Sequence, residues 1–323
     1  MILICLKQIL MTEKELNKCN LTNKKCQWRG QILFSPFFML IYKQKEEEHM
    51  ENIIEINRLT KNFGKHRGIE NISFGVKRGE AFGFLGPNGA GKTTTIRHLM
   101  GFIKSQSGTC TIAGMDCWKE SEKIQKSLGY IPGEINFFDD MTGVEFLRFV
   151  SKYRGLSNLE KQKELIERFE LDTKGKIRKM SKGMKQKIGI ITAFMHDPDI
   201  LILDEPTSGL DPLMQSRFIE LIEEEKKKGK TILLSSHMFE EVERTCDRIG
   251  IIREGKMVTV DSVDTLRERH MHKYTVTLET PELAAAFAKE FEGIATGTEV
   301  TVASKQSLEN IFMAYYGGDK NDK

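Results

Sequence analysis

The chain has 323 residues, with 49 Lys+Arg against 46 Asp+Glu, a formal net charge of +3 and 39% hydrophobic residues. That length fits one large domain or two ordinary ones, and the apolar share can bury a core, which excludes a wholly disordered chain. So small a net charge gives no reason to expect nucleic acid or an anionic lipid surface as partner.

In chain order, residues 1–49 hold two short apolar runs and no helical or strand period. The longer run, 32–42 (ILFSPFFMLIY), is broken by Ser35 and Pro36, and no run reaches the roughly 18 consecutive apolar residues of a membrane span. No small-residue cleavage site follows Ile4–Leu10, which argues against a signal peptide. Lys45-Glu46-Glu47-Glu48, a few codons before Met50, resembles a translated bacterial ribosome-binding site, because Lys and Glu codons are purine-rich. Met50 is therefore the expected initiator and 1–49 an atypical extension outside the translated protein. The alternative is a genuine extension, and N-terminal sequencing of the native protein decides between them. The extension holds eight Lys+Arg against five Asp+Glu, so residues 50–323 are formally neutral.

From Met50 onward the pattern is orderly. Ile54, Ile56 and Leu59, then Ile72, Phe74 and Val76, read as strands of period two. A strand over Glu80–Leu85 runs into a Gly-rich turn and a helix over about 91–102. Residues 142–196 read as mostly helical, with apolar residues at three-to-four spacing. Ile200–Leu203 is an all-apolar strand, as in a parallel sheet covered on both faces. A strand over Thr231–Leu234, a helix over Met238–Arg244 and a strand over Arg248–Arg253 continue the α/β alternation. A small α+β appendage is expected over 262–317, from a strand at Tyr274–Leu278, a helix at Pro281–Phe291, a strand at Glu299–Val302 and a helix at Leu308–Tyr316, before a tail at 318–323. The six cysteines form no CxxC pair or zinc-like spacing, so free thiols in a cytosolic compartment are expected, and His270 and His272 read as solvated surface.

The strongest chemical signal is Gly86-Pro87-Asn88-Gly89-Ala90-Gly91-Lys92-Thr93, a GxxxxGK[ST] phosphate loop between a predicted strand and helix. Its backbone N–H groups and the helix N-terminus suit phosphate oxygens. Lys92 would reach the β- and γ-phosphates, Thr93 would offer its hydroxyl to Mg²⁺, and Thr94 follows within the nucleotide-binding set. The strand Ile200-Leu201-Ile202-Leu203 ends in Asp204, placed to hold Mg²⁺ through water, and Glu205, placed to orient and deprotonate the attacking water.

Further motifs carry a family resemblance. Met180-Ser181-Lys182-Gly183-Met184-Lys185-Gln186 resembles the signature loop of ATP-binding cassette (ABC) ATPases, Ser208-Gly209-Leu210-Asp211 the D-loop, and His237 in Leu234-Ser235-Ser236-His237 the switch histidine. Phe63 falls where that family places an aromatic on adenine. The resemblance covers residues 59–260. It implies a P-loop NTPase of α/β class over 50–261, with a RecA-like core, a β-subdomain and a helical subdomain at about 142–196. It also implies ATP and Mg²⁺ as cofactors and a head-to-tail pair of cassettes, identical or not. Ser181, Gly183 and Asp211 would there face ATP held by the opposite subunit, with His237 on the γ-phosphate beside Glu205.

Two departures stand out. Lys182 and Met184 replace small residues of the signature consensus, with Lys185 and Lys187 adding positive charge, a pattern that looks like bacterial exporters whose membrane half is a separate polypeptide. At the Q-loop the expected glutamine position is Gly133, and Glu134 next to it is expected to take over as a metal or water ligand, the alternative being a plain solvent-exposed loop acid. The resemblance thus implies an ATPase subunit working beneath an integral-membrane permease, peripheral on the cytoplasmic face. A nucleic-acid-directed ATPase is disfavoured by the single uninterrupted cassette without sustained heptads. A module that binds ATP without hydrolysis is disfavoured by the presence of Lys92, Asp204, Glu205 and His237.

Overall fold

Alternating burial builds the first sheet. β1 (Asn52–Asn62) pairs antiparallel with β2 (Gly68–Lys77) and with β4 (Ser107–Ile112), and β5 (Met115–Asp116) closes the edge in the order β2-β1-β4-β5. Ile54 and Ile56 keep the two-residue period, but Leu59 is three residues further on and is also buried. A bulge resolves the conflict: the β1–β2 register shifts between Ile56 and Leu59, where Arg58 takes a φ of 48° and turns Leu59 back to the core. This computed structural model describes residues 52–64, 67–138, 140–269, 272–304 and 307–317. The extension 1–49, the start at Met50, His270, the side chain of His272 and the tail 318–323 lie outside the described residues.

The second sheet carries the chemistry. Its strands are β3 (Ala81–Leu85), β6 (Leu128–Ile131), β7 (Ile200–Asp204), β8 (Thr231–Ser236), β9 (Arg248–Arg253) and β10 (Lys256–Ser262), in the order β10-β9-β3-β8-β7-β6. All neighbours are parallel except the edge strand β10. The short β6 and the edge strand β10 have no counterpart among the expected strands.

Both faces of the sheet are apolar, as parallel strands require. Ala81, Leu85, Leu201, Leu203, Ile232 and Leu234 face α5 (Lys182–Phe194), α6 (Pro212–Lys227) and α7 (Phe239–Thr245). Phe82, Phe84, Ile202 and Leu233 face α1 (Lys92–Leu99) and the first sheet, where Phe74 stacks on Phe82 at 5.0 Å. Each fully buried Phe or Leu contributes about 1.5–3 kcal/mol relative to exposure. α2 (Ser121–Ser127) precedes β6. α3 (Gly143–Tyr153) starts on a capping box between Thr142 and Glu145, and α4 (Glu160–Arg168) is strapped to α6 by a bidentate Arg168–Glu224 pair at 2.7 and 2.8 Å.

The segment 262–317 divides in space. β11 (His272–Thr277), β12 (Ile294–Thr296) and β13 (Glu299–Ser304) form a sheet in the order β11-β13-β12. α9 (Pro281–Glu290) covers it through Ala284 and Ala288 on Val300. The flanking helices α8 (Val263–Arg269) and α10 (Leu308–Gly317) belong instead to the main core, through Val263, Leu266, Leu308, Ile311 and Phe312. So small a three-residue core leaves the apolar stripe of α10 to be buried elsewhere, and it returns to α7.

Candidate functional site

Three neighbouring strands end at one level. Leu85 of β3 pairs with Ser236 of β8, and Ser235 pairs with Asp204 of β7. The phosphate loop, the Asp204-Glu205 pair and the His237 turn therefore emerge side by side at the carboxyl edge, where open α/β sheets bind ligands. Gly86 and Ala90 are buried, and Pro87, Asn88 and Gly89 stand exposed. Gly91 caps α1 with a φ of 113°, and a Cβ there would lie 2.8 Å from Ile69. Only glycine meets both conditions.

Lys92 is nearly buried and donates to the carbonyls of Gly86 at 2.5 Å and Pro87 at 3.3 Å. Its ammonium also lies 3.0 Å from Glu205 Oε1. The other oxygen of Glu205, Oε2, is 2.5 Å from His237 Nδ1. Glu205 itself holds a φ of 50°, fixed by its N–H on the Ser235 carbonyl at 3.0 Å. A non-glycine residue in that region costs of order 1–3 kcal/mol and is kept where the surroundings over-determine it. The result is a line Lys92–Glu205–His237.

Asp204 is wholly buried, and its Oδ1 accepts from the Ser235 hydroxyl at 2.5 Å. Burial pushes its pKa up, while the hydroxyls of Ser235 and Thr93 pull it down. Asp204 Oδ2 accepts no hydrogen bond of ordinary geometry. A buried carboxylate oxygen left free beside a threonine hydroxyl is a donor set that suits a small hard divalent cation. Tyr130 on β6 is pushed up to about 12 by burial and by the charge of Asp204.

Glu134 does not join this cluster. The backbone of Gly133 packs against Asp204, so that a Cβ at 133 would lie 2.9 Å from Oδ2. Glu134 is exposed on the loop beyond, without a hydrogen-bond or ion-pair partner among the described residues. The backbone of the glycine, rather than the neighbouring acid, packs beside Asp204. Phe63 stands half exposed at the end of β1, with Lys61 Nζ 5.7 Å from its ring centroid.

Ser181, Gly183 and Asp211 make local contacts. Ser181 caps α5 by accepting from the Met184 N–H at 3.2 Å, and Asp211 caps α6 by accepting from the Met214 N–H at 3.0 Å. Gly183 abuts Gly209, where a Cβ would meet the carbonyl at 2.6 Å. Lys182, the departure from consensus, lies across Gly209 and donates to the Ser208 hydroxyl at 2.8 Å. The signature loop and the D-loop of one chain thus form one exposed surface.

Two supporting residues escape sequence reading. Gln186 Nε2 is buried and donates to the Pro206 carbonyl at 2.6 Å, tying α5 to the turn after Glu205. Glu241 on α7 is buried, with Oε2 accepting from the Ser236 hydroxyl at 2.6 Å while that hydroxyl accepts from the Met238 N–H at 2.9 Å. Burial pushes Glu241 up to about 7, against the hydroxyls of Ser236 and Thr207. Gln186 belongs to the signature motif and so carried a weak signal. Nothing local marks Glu241.

The family described as "ABC transporter" matches residues 69–208. The linearmycin resistance ATP-binding protein LnrL of Bacillus subtilis is 36% identical over 269 residues, covering 82% of this chain and 86% of that protein. The bacitracin transport ATP-binding protein BcrA of Bacillus licheniformis is 40% identical over 224 residues, covering 68% and 73%. A solved ATP-binding subunit of an ABC transporter superposes with a TM-score of 0.62 at 34% identity, over 67% of this chain and 92% of that one. A dimeric bacterial ABC transporter cassette shares the fold with a TM-score of 0.60 at 21% identity, over 65% and 98%.

Proposed function

The chain belongs to the ATP-binding, ATP-hydrolysing subunits of ABC transporters, and from that premise we propose how its residues divide the work. The line Lys92–Glu205–His237 at the mouth of the phosphate loop is the observation that carries the reading. The N–H groups of residues 88–94 and the Lys92 ammonium bind the ATP phosphates. As phosphate oxygens attract Lys92, the Lys92–Glu205 ion pair opens and frees the Glu205 carboxylate to accept a proton from the attacking water. His237 holds Glu205 in orientation through Oε2. Thr93 and Asp204 would hold Mg²⁺, which when bound neutralises phosphate charge. Phe63 offers a ring face to adenine.

Ser181 and Gly183 face the nucleotide of a second cassette, with Asp211 at the same interface, so ATP is sandwiched between one chain's phosphate loop and the other's signature loop. The substrate is exported through a separate membrane permease, with the ATPase on its cytoplasmic face. An antibiotic-like cargo is supported by the names of LnrL and BcrA. A ladder of exposed rings, Phe138 in the loop before α3 and Phe149 and Tyr153 on it, with neighbouring pairs 5.8 and 6.5 Å apart, offers the permease an apolar seat. No helix among the described residues is long and apolar enough to cross a membrane, which leaves that passage to the permease. Phosphate release by the full chain tests the assignment. Glu205→Gln is expected to lower kcat by about 10²–10⁴-fold while nucleotide still binds. Unchanged turnover would remove Glu205 from the role.

A further inference from the structure

The last helix has no part in that division of work, yet it reaches the nucleotide site. The Phe312 ring packs edge-on against Phe239, with centroids 5.0 Å apart and planes at 65°. The two rings wall a cavity of about 280 Å³ whose other sides are Gly86, Pro87, Asn88 and His237. α10 is anchored there at several points. The Leu308 N–H donates to Glu243 Oε1 on α7 at 2.8 Å, and Arg253 Nη1 at the end of β9 donates to the Tyr315 carbonyl at 3.0 Å. Leu308 and Ile311 are buried in the main core.

Phe239 opens α7 two residues after His237. His237 is itself half exposed, with its ring nitrogen on Glu205. A side chain on such a turn keeps its aim only if the helix behind it cannot tilt, and misplacement of about 1 Å at a reacting centre can cost about 10²-fold in rate. The chain leaves the core through α8, builds the sheet β11-β13-β12 and returns through α10 onto this turn. The accessory segment therefore ends against the His237 turn, through Phe312 on Phe239 and Leu308 on Glu243.

We propose that Phe312 is a positioning residue for His237: packed on Phe239, it lets α10 hold the His237 turn against Glu205, so that the accessory segment sets the turnover of the nucleotide site. This rests on the assignment of Glu205 and His237 made above.

Steady-state ATPase kinetics and equilibrium binding of a fluorescent ATP analogue on the full chain test it. Phe312→Ala is expected to lower kcat about tenfold with KM and nucleotide affinity within about twofold, since the loss falls on the reacting geometry and not on ground-state binding. Phe312→Tyr, which keeps the ring, should restore most of the rate. Ile294→Ser, on the exposed strand β12, should behave as wild type. A double-mutant cycle of Phe239→Leu and Phe312→Leu gives the same answer should Phe312→Ala not fold: the two losses are expected to overlap. Wild-type kcat in Phe312→Ala, additive losses in the cycle, or a parallel fall of kcat and nucleotide affinity would each overturn the proposal. Glu205→Gln, assayed beside them, separates the two levels. If it abolishes turnover while Phe312→Ala does not change it, the site assignment stands and the positioning role falls. If Glu205→Gln keeps full turnover, both fall.

Discussion

The phosphate loop and the signature loop of this chain are built on opposite principles. Around the phosphate loop, Lys92, Asp204, Glu205 and His237 converge from three strands, and one carboxylate oxygen of Asp204 is left without a hydrogen bond. Around the signature loop, Ser181 and Asp211 satisfy the ends of their own helices, and Lys182 satisfies Ser208. The first region gathers ionisable groups, buried or largely so except for His237, around the phosphate loop. The second is an exposed rim whose polar groups hold shape. In the proposed pair of cassettes, such a chain supplies half of each of two sites.

The strongest way to break that contrast is complementation. Lys92→Ala removes the phosphate-loop cation, and Gly183→Asp drives a side chain into the Gly209 carbonyl. Each alone is expected to lower ATPase activity by at least about 10²-fold. Mixed in equal amounts, they should recover to about a quarter of wild type, because half of the pairs then hold one intact composite site out of two. Recovery absent from the mixture would mean that each chain completes its own site.

Glu241 sharpens the contrast from the stability side. Its pKa is raised from 4.5 to about 7, so the folded state binds the proton more tightly than the unfolded state. The stabilisation is full below about pH 4.5 and is lost as pH rises through about 7, a change of about 3 kcal/mol. Glu241→Gln keeps an acceptor for Ser236 and carries no charge. In urea titrations it should match wild type at pH 5 and exceed it at pH 8, whereas parallel curves would show that Glu241 does not titrate in that window.

Smaller effects are expected on the rim. Asp211→Ala removes a helix cap and should cost about 1 kcal/mol, read as a fall in thermal midpoint of about 2–4 °C. Lys182→Met should change stability by less than about 0.5 kcal/mol. The lost bond to Ser208 is offset by taking a cation off the N-terminus of α5, where the helix dipole opposes it. A drop of several degrees in Lys182→Met would show that the Lys182–Ser208 bond holds the two loops together.

These differences also mark what the sequence could reveal. The phosphate loop, Asp204-Glu205 and His237 were legible because each is a contiguous run at the end of a strand with an evident period. The support beneath them was not. Glu241 meets Ser236 and Gln186 meets Pro206 only after α7 and α5 pack on the sheet, and no local pattern records such pairs. Motif position alone did not reveal that the backbone of Gly133 lies against Asp204 while Glu134 stands exposed beyond it. Leu59 lay off the strand period until the bulge at Arg58 explained it. The last helix was expected at Leu308–Tyr316, but only the fold shows that Leu308, Ile311 and Phe312 bury against the main core at α7 and not on the sheet beside it.

Sedimentation of Glu205→Gln and wild type with MgATP tests most directly whether one chain holds two incomplete half-sites. With hydrolysis blocked, ATP should hold Glu205→Gln as a dimer of about twice the chain mass, while wild type returns to monomer as ATP is consumed. Monomers in both, or dimers equally lasting in both, would contradict it.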